Sequence, residues 1–100
     1  MNRVHALPPK KDRVKEDLEY SSLDSLRMVG SFNKDDVTWA FVRDSGGTVH
    51  RVTVDNYLGQ NHGRILTVRD DAVELLEIID NGHDGWMERR SKIALSEKQG

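Results

Sequence analysis

One hundred residues with a net charge of −2, 36% apolar residues, 32% charged residues and a mean hydropathy of −0.67 describe a single small domain with one modest core. The absence of cysteine excludes a disulfide framework and any cysteine-based zinc site. No apolar run approaches the roughly 20 residues needed to span a bilayer, and no signal peptide is recognisable.

Met1 to Lys11 carries Pro8-Pro9 followed by Lys10-Lys11 and has no apolar periodicity. It reads as an extended linker over residues 1–11, ahead of a domain over 12–96 and a polar tail over 97–100. Residues 1–15 hold Arg3, Lys10, Lys11, Arg13 and Lys15 against Asp12, a charge of +4, so the total of −2 leaves −6 on residues 16–100. An acidic body argues against a broad phosphate-binding face, because that affinity comes mainly from Lys and Arg. Nucleic acid is therefore not an expected partner.

Asp12 to Tyr20 can form two helical turns, with Asp12 as N-cap and Val14 and Leu18 on one face. Leu26 to Phe32 reads as the first strand, with Leu26, Met28 and Phe32 on one side by period two and Gly30 between them. A glycine inside a strand often marks a bulge. Asn33 to Asp36 is the following turn. In Val37 to Arg43 both alternating sets are largely apolar, which predicts a central strand. Asp44-Ser45-Gly46-Gly47 is a tight reversal. Thr48 to Val54 is the next strand, with His50, Val52 and Val54 facing the same way, and a longer connection runs from Asp55 to Gly63.

Arg64 to Asp70 is a shorter strand ending at Asp70-Asp71. Ala72 to Asp80 fits helix or strand by composition, and its length between turns within a β context favours strand. Asn81 to Gly85 is a loop. Trp86 to Arg90 and Lys92 to Leu95 form two short strands or one bent one. About seven short strands with glycine turns predict an all-β fold, a small β-sandwich with a short N-terminal helical turn.

Catalytic and metal patterns are missing. His50, His62 and His83 lie in or beside turns, with Asp55 and Asp84 nearby in sequence, but no pair has a metal-ligand spacing. No serine sits in a Gly-x-Ser-x-Gly elbow. Asp35-Asp36 and Asp70-Asp71 occupy turns, where aspartate is favoured for its backbone hydrogen bonds. No cofactor is expected, and neither is an enzyme. Trp39 and Trp86 are expected in core and rim packing.

The order and spacing of several short patterns carry a resemblance. They are Leu26-Arg27-Met28-Val29-Gly30, Thr38-Trp39-Ala40, Gly47 to Val52, Asn56-Tyr57-Leu58-Gly59 with Asn61-His62-Gly63, Val73 to Ile78, Gly85-Trp86 and Ile93-Ala94-Leu95. Over about residues 16–96 the chain resembles the periplasmic domain of the PilP family of type IV pilus assembly lipoproteins. The resemblance implies a β-sandwich similar to the homology region of type II secretion protein C. It also implies a non-catalytic role at the periplasmic side of the inner membrane, linking the PilN/PilO platform to the secretin PilQ. Family members are anchored by a lipidated cysteine that precedes a flexible, platform-binding segment. This chain lacks that cysteine, so it is expected to be a domain fragment that retains secretin binding and touches membrane only through an anchor absent here.

The expected docking edge comprises Leu26, Arg27, Met28 and Val29 of the first strand with Lys34 and Val37 at the hairpin, Met28 and Val29 being open to a plain core reading. Asn61 and His62 form a second candidate surface, although turn geometry alone explains the neighbouring glycines. An oligonucleotide-binding or SH3-like barrel is the alternative, and a basic stripe with exposed aromatics would identify it.

Overall fold

In the computed structural model, which describes residues 3–6, 8–10, 12–83 and 85–96, eight antiparallel strands form two sheets. The strands are β1 (Arg3–Ala6), β2 (Arg27–Lys34), β3 (Val37–Arg43), β4 (Val49–Val52), β5 (Tyr57–Leu58), β6 (Gly63–Val68), β7 (Ala72–Asp80) and β8 (Trp86–Ala94). The larger sheet has the order β1-β8-β7-β6-β5 and the smaller β2-β3-β4. Two short 3₁₀ turns, Asp17–Tyr20 and Leu23–Ser25, precede β2. The expected β-sandwich is therefore correct, and no helix among the described residues is long and apolar enough to cross a membrane.

Alternation builds the core. Met28, Ala40, Val42 and Val52 of the smaller sheet face Leu58, Ile65, Val73, Leu75 and Ile93 of the larger one. Burying a Met, Val or Leu side chain stabilises by roughly 1.5–3 kcal/mol, so this single cluster carries most of the favourable energy. Leu18 and Leu26, from the segment that holds the 3₁₀ turns, complete it. β3 is central in its sheet, as its two apolar faces imply.

Three expectations change. A strand, Arg3–Ala6, lies within the stretch expected to be linker, and it pairs with β8. It was hidden because a four-residue strand on a sheet edge owes its existence to the neighbour's hydrogen bonds and needs no apolar pattern of its own. The helix expected from Asp12 contracts to a 3₁₀ turn whose N-cap is Glu16. Too few residues are available to offset helix nucleation. Val54 leaves β4 and is exposed in the following turn. The tail expected at 97–100 lies outside the described residues. Ala72–Asp80 is a strand over the expected bounds, and the last segment is one continuous strand.

A fourth difference reorients side chains. Leu26, Met28 and Phe32 do not share a side, because the β2–β3 register shifts between Met28 and Gly30. Met28 pairs with inward Val42, whereas Phe32 pairs with Trp39 on the outer surface. One extra residue in a strand reverses the phase of everything after it. Gly30 then sits opposite Phe41, where an added Cβ would meet the ring edge at 3.5 Å, an ordinary contact.

Gly63 is different. A Cβ there would lie 2.5 Å from Leu75 Cδ1 and 2.7 Å from the Leu58 carbonyl oxygen. Overpacking of this kind costs about 1–3 kcal/mol. Urea unfolding is expected to show that loss for Gly63→Ala, with Gly30→Ala within about 0.5 kcal/mol of the wild type.

Candidate functional site

Two buried carboxylates organise the surface around the sandwich. Glu19, 2% exposed, receives two hydrogen bonds from the Arg13 guanidinium at 2.7 and 2.8 Å and a third from the Glu16 backbone N–H at 2.8 Å. The Glu16 carboxylate in turn accepts from Asn56 Nδ2 and the Tyr57 N–H, both at 3.1 Å. The Arg13 guanidinium lies 3.4 Å from the centroid of the Tyr57 ring. The Gly59 N–H donates to the Leu18 carbonyl at 3.0 Å. Together these contacts strap the segment before β2 onto β5. The hydrogen bonds from Arg13 hold the Glu19 carboxyl below its ordinary value, against the opposing effect of burial, and nearby His62 adds to this.

Glu77, 1% exposed, takes an inward position on β7, in phase with Val73 and Leu75. Arg89 reaches its Oε1 at 2.9 and 3.0 Å, the Ser91 hydroxyl donates to the same oxygen, and Asn61 Nδ2 donates to Oε2 at 3.3 Å. These groups line a polar cleft of about 410 Å³ that is also walled by Asp24, Gln60 and Lys92. Asn61 is thus a brace: its carbonyl also accepts from the Ile78 N–H. His62 occupies the left-handed region with φ +57, so its position follows from the turn. The Tyr57–Gly63 stretch, the most specific pattern in the sequence, thus makes contacts within the fold through Tyr57, Asn61 and Gly63.

The expected docking residues are only partly brought together. Leu26 and Met28 are core residues, 5% and 0% exposed, and offer no surface to a partner. The edge of β2 beside Met28 is also occupied: the Ser96 N–H donates to the Met28 carbonyl at 2.9 Å, and Leu95 bridges to Met28. Val29 is the extra residue at the bulge and half-buried. Arg27, Lys34 and Val37 are exposed, with Arg27 and Lys34 at opposite ends of β2, about 23 Å apart by strand rise. Asn61 belongs with the other sheet through Glu77.

Sequence reasoning missed the outer face of the smaller sheet. Phe32 stacks on Trp39 (centroids 6.2 Å apart, 7° between planes) and on Phe41 (5.1 Å, 28°), and Arg51 lies 5.7 Å from the Trp39 ring centroid. Trp39 is half-buried there and lies outside the core cluster. The clue was available in β3, where small Ala40 and Val42 are the residues that fit between two sheets. Among the described residues no three His, Asp or Glu side chains converge as a metal set. His50 Nε2 lies 2.8 Å from Asp44 Oδ2, and this contact, with N–H donors from Thr48 and Gly46, lowers the Asp44 carboxyl.

Comparison with known proteins gives concordant results. The family model described as pilus assembly protein, PilP, matches residues 1–95. The type IV pilus inner membrane component PilP of Pseudomonas aeruginosa is 35% identical over 92 residues, which are 92% of this chain and 52% of that protein. The chain therefore spans about half the length of that curated relative. A domain of the P. aeruginosa type IV pilus biogenesis lipoprotein PilP superposes with TM-score 0.80 at 35% identity, covering 88% of this chain and all of that one. A solution structure of a domain of Neisseria meningitidis PilP gives TM-score 0.69 at 35% identity, covering 93% and 81%.

Arg13→Ala leaves a buried carboxylate without its cation and is expected to cost roughly 3 kcal/mol in urea unfolding at neutral pH. Because the folded-state pKa of Glu19 is lowered, its contribution is present above the ordinary glutamate value of 4.5 and is lost as pH falls through the folded value. Glu19→Gln is accordingly expected to flatten the acid limb of a stability–pH curve.

Proposed function

Because this chain belongs to the PilP family of pilus assembly proteins, we propose that it is a non-catalytic periplasmic docking domain of type IV pilus biogenesis, joining the inner-membrane PilN/PilO platform to the secretin PilQ. The observation that carries this reading is the family match over residues 1–95, supported by the 0.80 superposition on a solved PilP domain. In the longer protein a lipid anchor and a flexible segment would precede this domain, hold it at the inner membrane and engage the platform. The folded part would meet the N-terminal periplasmic domains of the secretin.

The physical design supports docking over small-molecule chemistry. The clefts are shallow and walled by residues already engaged with one another, such as Glu77 with Arg89. A sandwich of this size also leaves much of its surface available to partners. Of the residues first expected to dock, Arg27, Lys34 and Val37 remain as exposed candidates.

Calorimetric titration with the secretin's N-terminal periplasmic domains, at two salt concentrations, tests the reading. Saturable binding that weakens with salt is expected. Arg27→Glu and Lys34→Glu are each expected to weaken it several-fold while leaving the thermal unfolding midpoint within a few degrees. Absence of binding by the wild-type chain to folded secretin domains would overturn the secretin reading.

A further inference from the structure

Strands β2, β3 and β4, of eight, seven and four residues, contain no aspartate or glutamate. They carry Arg27, Lys34, Arg43 and Arg51, all exposed. Register puts the four on the outer face: Arg27 opposite Arg43, Lys34 opposite Val37 and Arg51 opposite Phe41. The acids that flank these strands in sequence, Asp24, Asp35, Asp36, Asp44 and Asp55, lie outside them, with Asp44 engaged by His50 and two backbone N–H groups and Asp55 by Arg64. Residues 16–100 as a whole carry −6, so this face is a basic island on an acidic body.

Two features show that the island is incomplete by itself. None of the four cations is ion-paired among the described residues. Arg27 and Arg43 also stand directly opposite each other, an arrangement that destabilises a sheet unless an anion lies between the charges. Between the cations lies the Phe32–Trp39–Phe41 stack, with Val37 and Val49 exposed beside it at 41% and 48%.

We propose that the outer face of β2–β4 docks an acidic protein segment, with aliphatic side chains laid across the aromatic stack and carboxylates set between Arg27 and Arg43 and beside Lys34 and Arg51. The inference rests on the reading of this domain as a secretin-docking module, and adds to it the face used and the chemistry of the partner. Charge complementarity selects an acidic occupant, and shape selects a protein. The rings lie stacked and half-buried against the sheet, with no apolar wedge to enter a lipid headgroup layer. The acidic remainder of the domain would be repelled by an anionic plane but tolerates a narrow acidic segment. Nucleic acid needs rings open for base stacking, whereas here the rings stack on one another and Arg51 covers Trp39.

The test compares wild type, Arg43→Glu, Phe32→Ser and Arg90→Glu in titrations with the secretin's N-terminal periplasmic domains, each variant being checked by thermal unfolding. Arg90 is exposed on the larger sheet opposite Leu76, so Arg90→Glu makes the same charge change on another face. Arg43→Glu replaces a like-charge pair with an opposite-charge one, so its unfolding midpoint should equal or exceed that of the wild type. Its affinity should fall at least tenfold, that of Phe32→Ser should fall too, and that of Arg90→Glu should stay within twofold. Wild-type-like binding by a folded Arg43→Glu overturns the face assignment while leaving the secretin reading intact, and equal losses in Arg43→Glu and Arg90→Glu do the same. No binding by the wild type overturns the secretin reading and this inference with it. Co-sedimentation of wild type, but not Arg43→Glu, with phosphatidylglycerol vesicles would make the occupant a lipid surface and overturn the protein assignment.

Discussion

The sandwich depends on how its open side is closed, and a buried carboxylate does much of that work. Two sheets of five and three strands leave the cluster around Met28, Leu58 and Leu75 accessible where β4 and β5 end their respective sheets. Leu18 and Leu26 cover it only because the segment between them is held in place. Arg13 clamps Glu19, Glu19 holds the Glu16 backbone, and Glu16 reaches the Asn56–Tyr57 backbone and side chain. Each link leaves no buried polar side-chain atom unsatisfied among the described residues, which is the condition for placing charge in a small core.

The same logic explains Glu77. On β7 an aliphatic residue at that inward position would extend the core, but the carboxylate instead ties β7 to Arg89 and Ser91 of β8 and to the Asn61 loop. Such a network stabilises only while every member is present. Together Glu19 and Glu77 give the Tyr57–Gly63 stretch its character. Its tyrosine, asparagine and glycines serve the strap, the brace and the close approach of Gly63 to Leu75.

A bulge of one residue has the largest effect on surface chemistry. Without the register shift between Met28 and Gly30, Phe32 would follow Met28 inward and the outer face would lose its central ring. With it, the inner layer is filled by small Ala40 and Val42 and three aromatics are displaced outward, framed by cations. A basic aromatic face was the feature by which the chain would have declared an oligonucleotide-binding barrel. Cations frame the rings here, but the rings are half-buried and stacked on one another, and the family match and the two-sheet topology assign the face to a pilus assembly domain.

Strand identity, the hairpin turns and the family were legible in the amino-acid sequence, because period-two patterning and turn chemistry are local and the distinctive Tyr57–Gly63 motif is contiguous. Even Ala72–Asp80, ambiguous by propensity, was resolved by its length between turns. What only the tertiary structure decided was the side to which each residue points and the partner each charge finds. Arg3–Ala6 became a strand through β8, and Met28 and Phe32 parted at a bulge. Glu19 and Glu77 became buried because Arg13 and Arg89 stand beside them. These outcomes depend on register and on contacts between residues distant in sequence, and a one-residue slip, which composition cannot reveal, inverts them.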